Sequence, residues 1–277
     1  GHGSDNEITH NDIGDFYYSG VSVGWTWGYR PSTAKRNNIT YNRIHHIGWA
    51  LLSDMGGVYT LGQSQGTVVS NNVVHDINSY TYGGWGLYTD EGSTDIVMEN
   101  NLVYNTKTGG FHQHYGKNNI IRNNILAYAQ KVQMKCTRIE EHKSFDFTNN
   151  IIIFDKSPVF ERNCDKLNMV TDYNLYWNTN GDSYEFEGES FQKWKEKTGH
   201  DSHSFIADPY FKNPETYDFT LLKQRNTRRI KFKPFDYSKA GVYGDSQWKE
   251  KAKLSSDRAM AFDIEVERNN KNKDLGY

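Results

Sequence analysis

The sequence predicts an all-β solenoid, a parallel β-helix of about seven coils closed by an irregular C-terminal cap that contains one short helix. Three observations predict it. A short segment recurs as ITHNDI, ITYNRI, VSNNVV, MENNLV, IRNNIL, FTNNII and TDYNLY. Its shared asparagines are Asn11, Asn42, Asn72, Asn101, Asn124, Asn150 and Asn174, spaced 31, 30, 29, 23, 26 and 24 residues apart. An apolar residue stands three places before the first six (Ile8, Ile39, Val69, Met98, Ile121, Phe147), and Thr171 beside Val170 takes that place in the last. Another apolar or aromatic residue follows two places after each: Ile13, Ile44, Val74, Val103, Leu126, Ile152 and Tyr176. The third observation is compositional: 5 Pro, 24 Gly and 14% aromatic residues suit strands and turns better than helical bundles.

Each coil follows from these facts. One repeat is a few short strands that cannot bury their apolar side alone, so coils stack and share a core. Parallel strands then pair about 4.7–4.9 Å apart from coil to coil. The asparagines stack as an amide ladder at a bend, each side chain bonding the next. A leucine-rich repeat has a comparable period, but its Leu-x-x-Leu-x-Leu signature is absent.

After Tyr176 the pattern stops, and the expected division is 1–180 for the solenoid, 181–248 for the cap and 249–277 for a polar tail. SFQKWKEKTG predicts one short helix, with Ser190 as N-cap and Gly199 just past its end. DPYF and YDFTLL predict a last irregular turn and a short strand. The final NNKNKDLGY is expected to be disordered.

The bulk numbers exclude some partners. The formal charge is −2 and no Lys/Arg run stands out, so nucleic acid is not expected. No apolar run nears the ~18 residues that a membrane span needs. Cys136 and Cys164 are too few for a disulfide framework and match no zinc spacing. Cys136 falls on an inward position of the fifth coil and is expected to be a buried free thiol. Cys164 falls near the matching strand end of the sixth, and a bond between them would need close Cα atoms. Lys135 and Glu161 align one coil apart as a weak surface pair.

Two stretches echo each other: GWALLSDMGG at 48–57 and GWGLYTDEGS at 84–93, each ending on an aspartate and a glycine, 36 residues apart. Aligning the coils on this echo sets GVSVGW, ALLSDM, GLYTDE and GFHQHY side by side. Strand side chains alternate between faces. If Val21, Leu51, Leu87 and Phe111 point inward, so do Val23, Ser53, Thr89 and Gln113. Ser22, Leu52, Tyr88 and His112 then point out, as do Gly24, Asp54, Asp90 and His114. Asp54 and Asp90 become stacked neighbours on one outer face. Like charges directly opposite destabilise a sheet, so a pair kept there is a functional candidate. The competing reading is that each Asp caps a turn before Gly56 or Gly92. Long loops around these strands carry Trp25, Trp27, Tyr29, Tyr59, Tyr80, Tyr82 and Trp85, aromatic faces that suit sugar rings, although some of them serve packing instead.

GHGSDNEITHNDI, SDMGGVYTLG, GGWGLYTDEGS and GGFHQHYGKNNIIRNNI resemble the right-handed parallel β-helix glycoside hydrolases of bacterial polysaccharide degradation, specifically glycoside hydrolase family 141. The resemblance covers roughly residues 1–180, with DPYF and GVYG beyond. It implies an α-L-fucosidase-like or xylanase-like activity, a secreted or periplasmic location, and a pair of catalytic acids on the helix face. Asp54 and Asp90 match that pair best. Glu91 is the reserve, although parity turns it inward or into the bend. Family members are longer, which implies that this chain packs against an N-terminal part of the same protein.

Two carboxyl groups suffice for glycoside hydrolysis without a cofactor, one protonating the leaving oxygen and one acting as nucleophile or base. Trp25, Trp27, Tyr59, Trp85, Tyr88, His112 and His114 are expected to bind the sugar, and Gln63 is a weaker candidate. Two other readings stand beside this one. A polysaccharide lyase or epimerase would place Ca²⁺ on Asp54 and Asp90, with His114 and either Lys117 or Arg122 at hand; Ca²⁺ prefers six to eight oxygens, so histidine fits it poorly. A non-catalytic carbohydrate-binding solenoid would use the aromatics and not the acids.

Overall fold

The computed structural model describes residues 1–274, apart from Ser157 and Asp182. The chain is a parallel β-solenoid built on three sheets. A seven-stranded sheet starts with Glu7–Thr9 and ends with Val170–Asp172. An eight-stranded sheet follows the asparagine corner and runs from Asp12–Phe16 to Leu175–Asn178 and Phe205–Ile206. The third has six strands: Val21–Gly24, Gly56–Leu61, Trp85–Thr89, Gly109–Gln113, Met134–Cys136 and Phe160–Arg162. Six coils thus carry all three strands, and a seventh contributes to the first two sheets.

The repeat is realised residue by residue. Ile8, Ile39, Val69, Met98, Ile121, Phe147 and Thr171 are successive register partners in the first sheet. Ile13, Ile44, Val74, Val103, Leu126, Ile152 and Tyr176 are partners in the second. Both columns feed one continuous core. The amide ladder is unbroken: Asn11 donates to Asn42 (2.9 Å), Asn42 to Asn72 (3.0 Å), Asn72 to Asn101 (3.0 Å), Asn101 to Asn124 (3.0 Å), Asn124 to Asn150 (3.1 Å) and Asn150 to Asn174 (3.3 Å). The residue before each ladder Asn has positive φ, from His10 through Tyr41, Asn71, Asn100, Asn123 and Asn149 to Tyr173. The corner bends sharply there, and the buried amide satisfies the backbone groups that the bend leaves unpaired.

Helix α1 (Phe191–Thr198) has Ser190 as N-cap and Gly199 in the left-handed region beyond it. Its Trp194 enters the core beside Phe160 and Phe186 and closes the solenoid's end. Phe211–Asn213 pairs antiparallel with Asp218–Leu221. The rest of the C-terminal segment is not only a cap. Phe211, Phe219, Ile230 and Phe232 pack on the second sheet's outer face against Leu102, Ile125 and Ile151.

The chain therefore doubles back along the solenoid. Three helices beyond the expected one complete it: α2 (Arg225–Arg229), α3 (Ser246–Ala252) and α4 (Ser256–Asp274). Where disorder was expected from residue 269, residues 269–274 belong to α4, and 275–277 lie outside the described residues. The long polar helix is held by few anchors: Phe262, 1% exposed, packs against Trp49 and His46, and Arg258 pairs with Asp15 at 2.8 Å. The cysteines also depart from expectation. Cys136 and Cys164 form a disulfide, with Cα atoms 5.2 Å apart, because the sixth coil's strand end returns to within bonding reach of the fifth.

Candidate functional site

The third sheet places the groove. Val21, Val58, Leu87, Phe111, Met134 and Phe160 are register partners and all point into the core. Alternation turns Ser22, Tyr59, Tyr88, His112, Lys135 and Glu161 to the outer face. This corrects the expected register. The strand of the second coil is Gly56–Leu61, not the segment around Leu51 and Asp54. Leu51 and Leu52 are exposed on a loop, and Ser53 bonds Thr81 at 2.7 Å instead of facing the core. The telling signal was a different echo: Gly57-Val58-Tyr59-Thr60 and Gly86-Leu87-Tyr88-Thr89, 29 residues apart, within one residue of the 30 that separate Asn42 from Asn72 on the ladder.

Asp54 and Asp90 nevertheless meet in one groove of about 540 Å³. They reach it from different elements and are not stacked strand neighbours. Asp90 directly follows Trp85–Thr89, its amide bonding the Thr60 carbonyl at 2.9 Å. Asp54 ends the loop before Gly56–Leu61, in a left-handed conformation (φ 56°), with its amide on the Tyr82 carbonyl at 3.0 Å. Gly83 runs tightly past it: a Cβ there would stand 2.8 Å from the Asp54 nitrogen. With φ at +93°, Gly83 is also in a region that disfavours other residues.

The two carboxyls are held by an exchange between coils. The Tyr88 hydroxyl donates to Asp54 Oδ1 at 3.0 Å, and the Tyr59 hydroxyl donates to Asp90 Oδ2 at 2.5 Å. The two tyrosine rings stack at 4.5 Å. Tyr18 adds a bond to the Asp54 carbonyl at 2.7 Å. Burial, and then the charge of Asp90, push the Asp54 carboxyl above its ordinary value. Burial and the nearby carboxylates push Tyr59 and Tyr88 far up and Tyr18 up to about 12, so all three remain donors.

His112 is buried against Trp85, with ring centroids 4.1 Å apart. Burial lowers its pKa to about 3, so the ring is neutral. Its Nδ1 donates to the Lys135 carbonyl at 2.8 Å, which leaves Nε2 as an acceptor. His114 is held through Nδ1 on the Thr137 hydroxyl at 2.7 Å, and its Nε2 stands 4.0 Å from Glu91. Glu91 turns into the groove rather than inward and accepts a bond from the Tyr115 hydroxyl at 3.0 Å. Trp25 packs on Tyr59 at 5.2 Å, and Trp27 is 48% exposed at the rim. Trp85 is buried beneath Tyr88 and His112, forming the groove's floor.

Gln63 stands apart. It donates to the Tyr29 carbonyl and lines a separate hollow with Lys117 and His142. Lys117 is therefore outside the groove, and Arg122 pairs with Glu99 at 2.6 Å on the first sheet. Sequence reasoning missed Tyr18, Thr137 and Arg162 as groove residues and read Lys135 only as a surface pair. That pair does form, at 3.8 Å. Among the described residues, His46, His75 and Asp76 have ligand atoms within 4.8 Å of one another, a spacing compatible with a metal ion. They lie beneath α4 on the second sheet, where His75 already bonds Asp76 at 2.6 Å.

A family model described as right handed beta helix region matches residues 1–152. The Bacillus subtilis (strain 168) protein YwoF, described as uncharacterized, is 26% identical over 197 residues, which cover 67% of this chain. The matched stretch is 36% of that relative's length, so the chain spans well under half of it. No solved structure matches the chain.

Proposed function

The chain belongs to the right-handed β-helix family, and from that premise we propose that it is a glycoside hydrolase acting on a complex polysaccharide or its oligosaccharides. Domains of this family are often carbohydrate-active enzymes. The observation that carries the reading is the pair Asp54 and Asp90, brought into one aromatic-walled groove and each held by a tyrosine of the neighbouring coil. A half-buried Asp54 whose pKa is raised suits the general acid, and Asp90 then serves as nucleophile or base. Trp25, Trp27 and Tyr82 offer stacking faces for sugar rings. His114 and Glu91 serve to orient hydroxyls. Hydrolysis by this route needs no metal. The resemblance to glycoside hydrolase family 141 narrows the bond to an α-L-fucoside-like or xylan-like one.

The test is product release from a panel of plant and algal polysaccharides and aryl glycosides, with and without EDTA. New reducing ends without absorbance at 235 nm support hydrolysis. A 235-nm chromophore that EDTA abolishes would make the protein a lyase. Binding without any turnover would leave a carbohydrate-binding solenoid.

The Cys136–Cys164 bond supports a secreted or periplasmic location, because disulfides persist in oxidising compartments. Thiol labelling of the protein taken from its native compartment tests this, and labelled cysteines would contradict it.

A further inference from the structure

Beyond the catalytic pair, the groove runs along the third sheet to the fifth and sixth coils and changes character there. Its lining at that end is Lys135, Thr137 and Arg162. Arg162 is the register partner of Cys136, whose side chain points into the core. Parity alone would turn Arg162 inward too. Its φ of +86° lies in the region that non-glycine residues rarely adopt, and the side chain is exposed and lines the groove instead. Such backbone strain persists only where the surroundings over-determine it. Here they do. The Cys136–Cys164 bond ties the two strand ends together, and the Asn163 side chain bonds the Thr137 carbonyl at 2.5 Å.

Nothing nearby neutralises this arginine: among the described residues no ion pair or hydrogen bond reaches its guanidinium. Lys135 stands one coil nearer the centre, with the half-exposed Glu161 at 3.8 Å as its ion-pair partner among the described residues. The sixth coil is three steps from the third, which carries Asp90. At ~4.8 Å per step that puts Arg162 about 14 Å away along the stack, more than a Debye length at physiological salt, and Lys135, two steps away, about 10 Å, so the central carboxylates leave Arg162 in particular uncancelled.

We infer that Arg162 and Lys135 form an anion-reading subsite, and that the groove's substrate carries a negative substituent, a uronate carboxylate or a sulfate ester, about three coils from the bond being cleaved. This rests on reading the groove as a sugar site. Arginine's planar fork suits both oxyanions, and Lys135 adds a second charge. The disulfide behind them fixes the platform from which Arg162 projects.

The test is calorimetric binding by the full chain carrying Asp90→Asn, which keeps the sugars intact. The probes are a galacturonate tetramer, the same tetramer with its carboxyls reduced to alcohols, and sulfated and desulfated galactan oligomers. The subsite predicts about tenfold tighter binding of a charged oligomer than its neutral counterpart at low salt, shrinking as salt rises. Arg162→Gln erases that preference, whereas Arg162→Lys keeps part of it. Whichever charged oligomer shows the preference names the oxyanion. Equal binding of charged and neutral oligomers overturns the subsite alone, as does a preference that survives both Arg162→Gln and Lys135→Met. If none of these oligomers binds while the product-release panel shows turnover of a neutral glycan, the subsite fails and the sugar reading stands; if nothing in either panel binds or turns over, both fail.

Discussion

Tyr88 of the third coil donates its hydroxyl to Asp54 of the second, 3.0 Å away, while Tyr59 of the second coil bonds Asp90 beyond the strand of the third. The two bonds cross the stacking direction in opposite senses, so neither carboxyl can shift without disturbing the other's support. This exchange keeps two acidic groups in a half-buried groove where their mutual repulsion would otherwise part them.

Asp54 contributes one part of the pH dependence, beside Glu187, whose carboxyl burial raises to about 7. The folded pKa of Asp54 is raised, by burial first and Asp90 second, so the native state holds that proton more tightly than the unfolded chain does. Stability is therefore lost as pH rises from the ordinary aspartate value through the raised one, and stays lost above it. Asp54→Asn should raise the melting temperature at pH 7 and leave it nearly unchanged well below pH 4, in paired melts. Activity of the wild type should fall as pH rises through the same group, because the acid must be protonated. A melting temperature that drops at pH 7 would contradict the assignment.

The tyrosines should be separable from the fold. Tyr59→Phe removes the donor to a carboxyl that is only 5% exposed, and should cost about 1–3 kcal/mol with a loss of turnover. Tyr88→Phe should lower turnover and raise the Asp54 pKa further, since its bond favours the charged form. A pH–rate profile reads that second effect directly; a profile whose alkaline limb does not move would count against the Tyr88–Asp54 link.

Helix α4 reaches the site indirectly. Phe262 packs on Trp49, and the Asn269 side chain bonds the Trp49 carbonyl at 3.2 Å, at the start of the loop that ends in Asp54. Phe262→Ala should cost about 3–5 kcal/mol if α4 stays cooperative with the core, or less if the helix merely detaches. Either way, hydrogen exchange should rise in the loop around Asp54 as well as in α4. Faster exchange in α4 alone would show that the helix does not brace the loop.

The amide ladder should be the least tolerant feature. Asn101 donates to the Val69 carbonyl at 2.9 Å and to Asn124, and accepts from both the amide and the side chain of Asn72. All of this is out of water, so Asn101→Ala strands several groups at ~1–3 kcal/mol each and should cost at least about 3 kcal/mol in denaturant melts. A cost below about 1 kcal/mol would mean that water replaces the amide there.

These cases also explain what could be read from the sequence. The ladder and its two flanking columns were legible because one buried amide per coil pins the register wherever the corner recurs. The third sheet was harder. Its inward residue follows the ladder Asn by ten places in the first, fourth, fifth and sixth coils, at Val21, Phe111, Met134 and Phe160. In the second and third coils it follows by sixteen and fifteen, at Val58 and Leu87, because loops are inserted before the strand. The 36-residue echo counts across those loops, so it singled out two aspartates that share one groove but set them in the wrong register. Arg162 was hidden for another reason: parity pointed it inward, and only its left-handed backbone turns it out. The C-terminal helix was illegible because so few of its residues are buried.

The most direct measurement compares wild type with Asp54→Asn and Asp90→Asn on whichever glycan the panel shows to be cleaved, with melts confirming that each variant is folded. The account predicts that each substitution lowers turnover by about 10²-fold or more, with EDTA making no difference. For aryl glycosides with good leaving groups, Asp54→Asn should recover much of the rate and Asp90→Asn should not. A folded variant of either kind that turns over at the wild-type rate would contradict a two-carboxylate site built from Asp54 and Asp90.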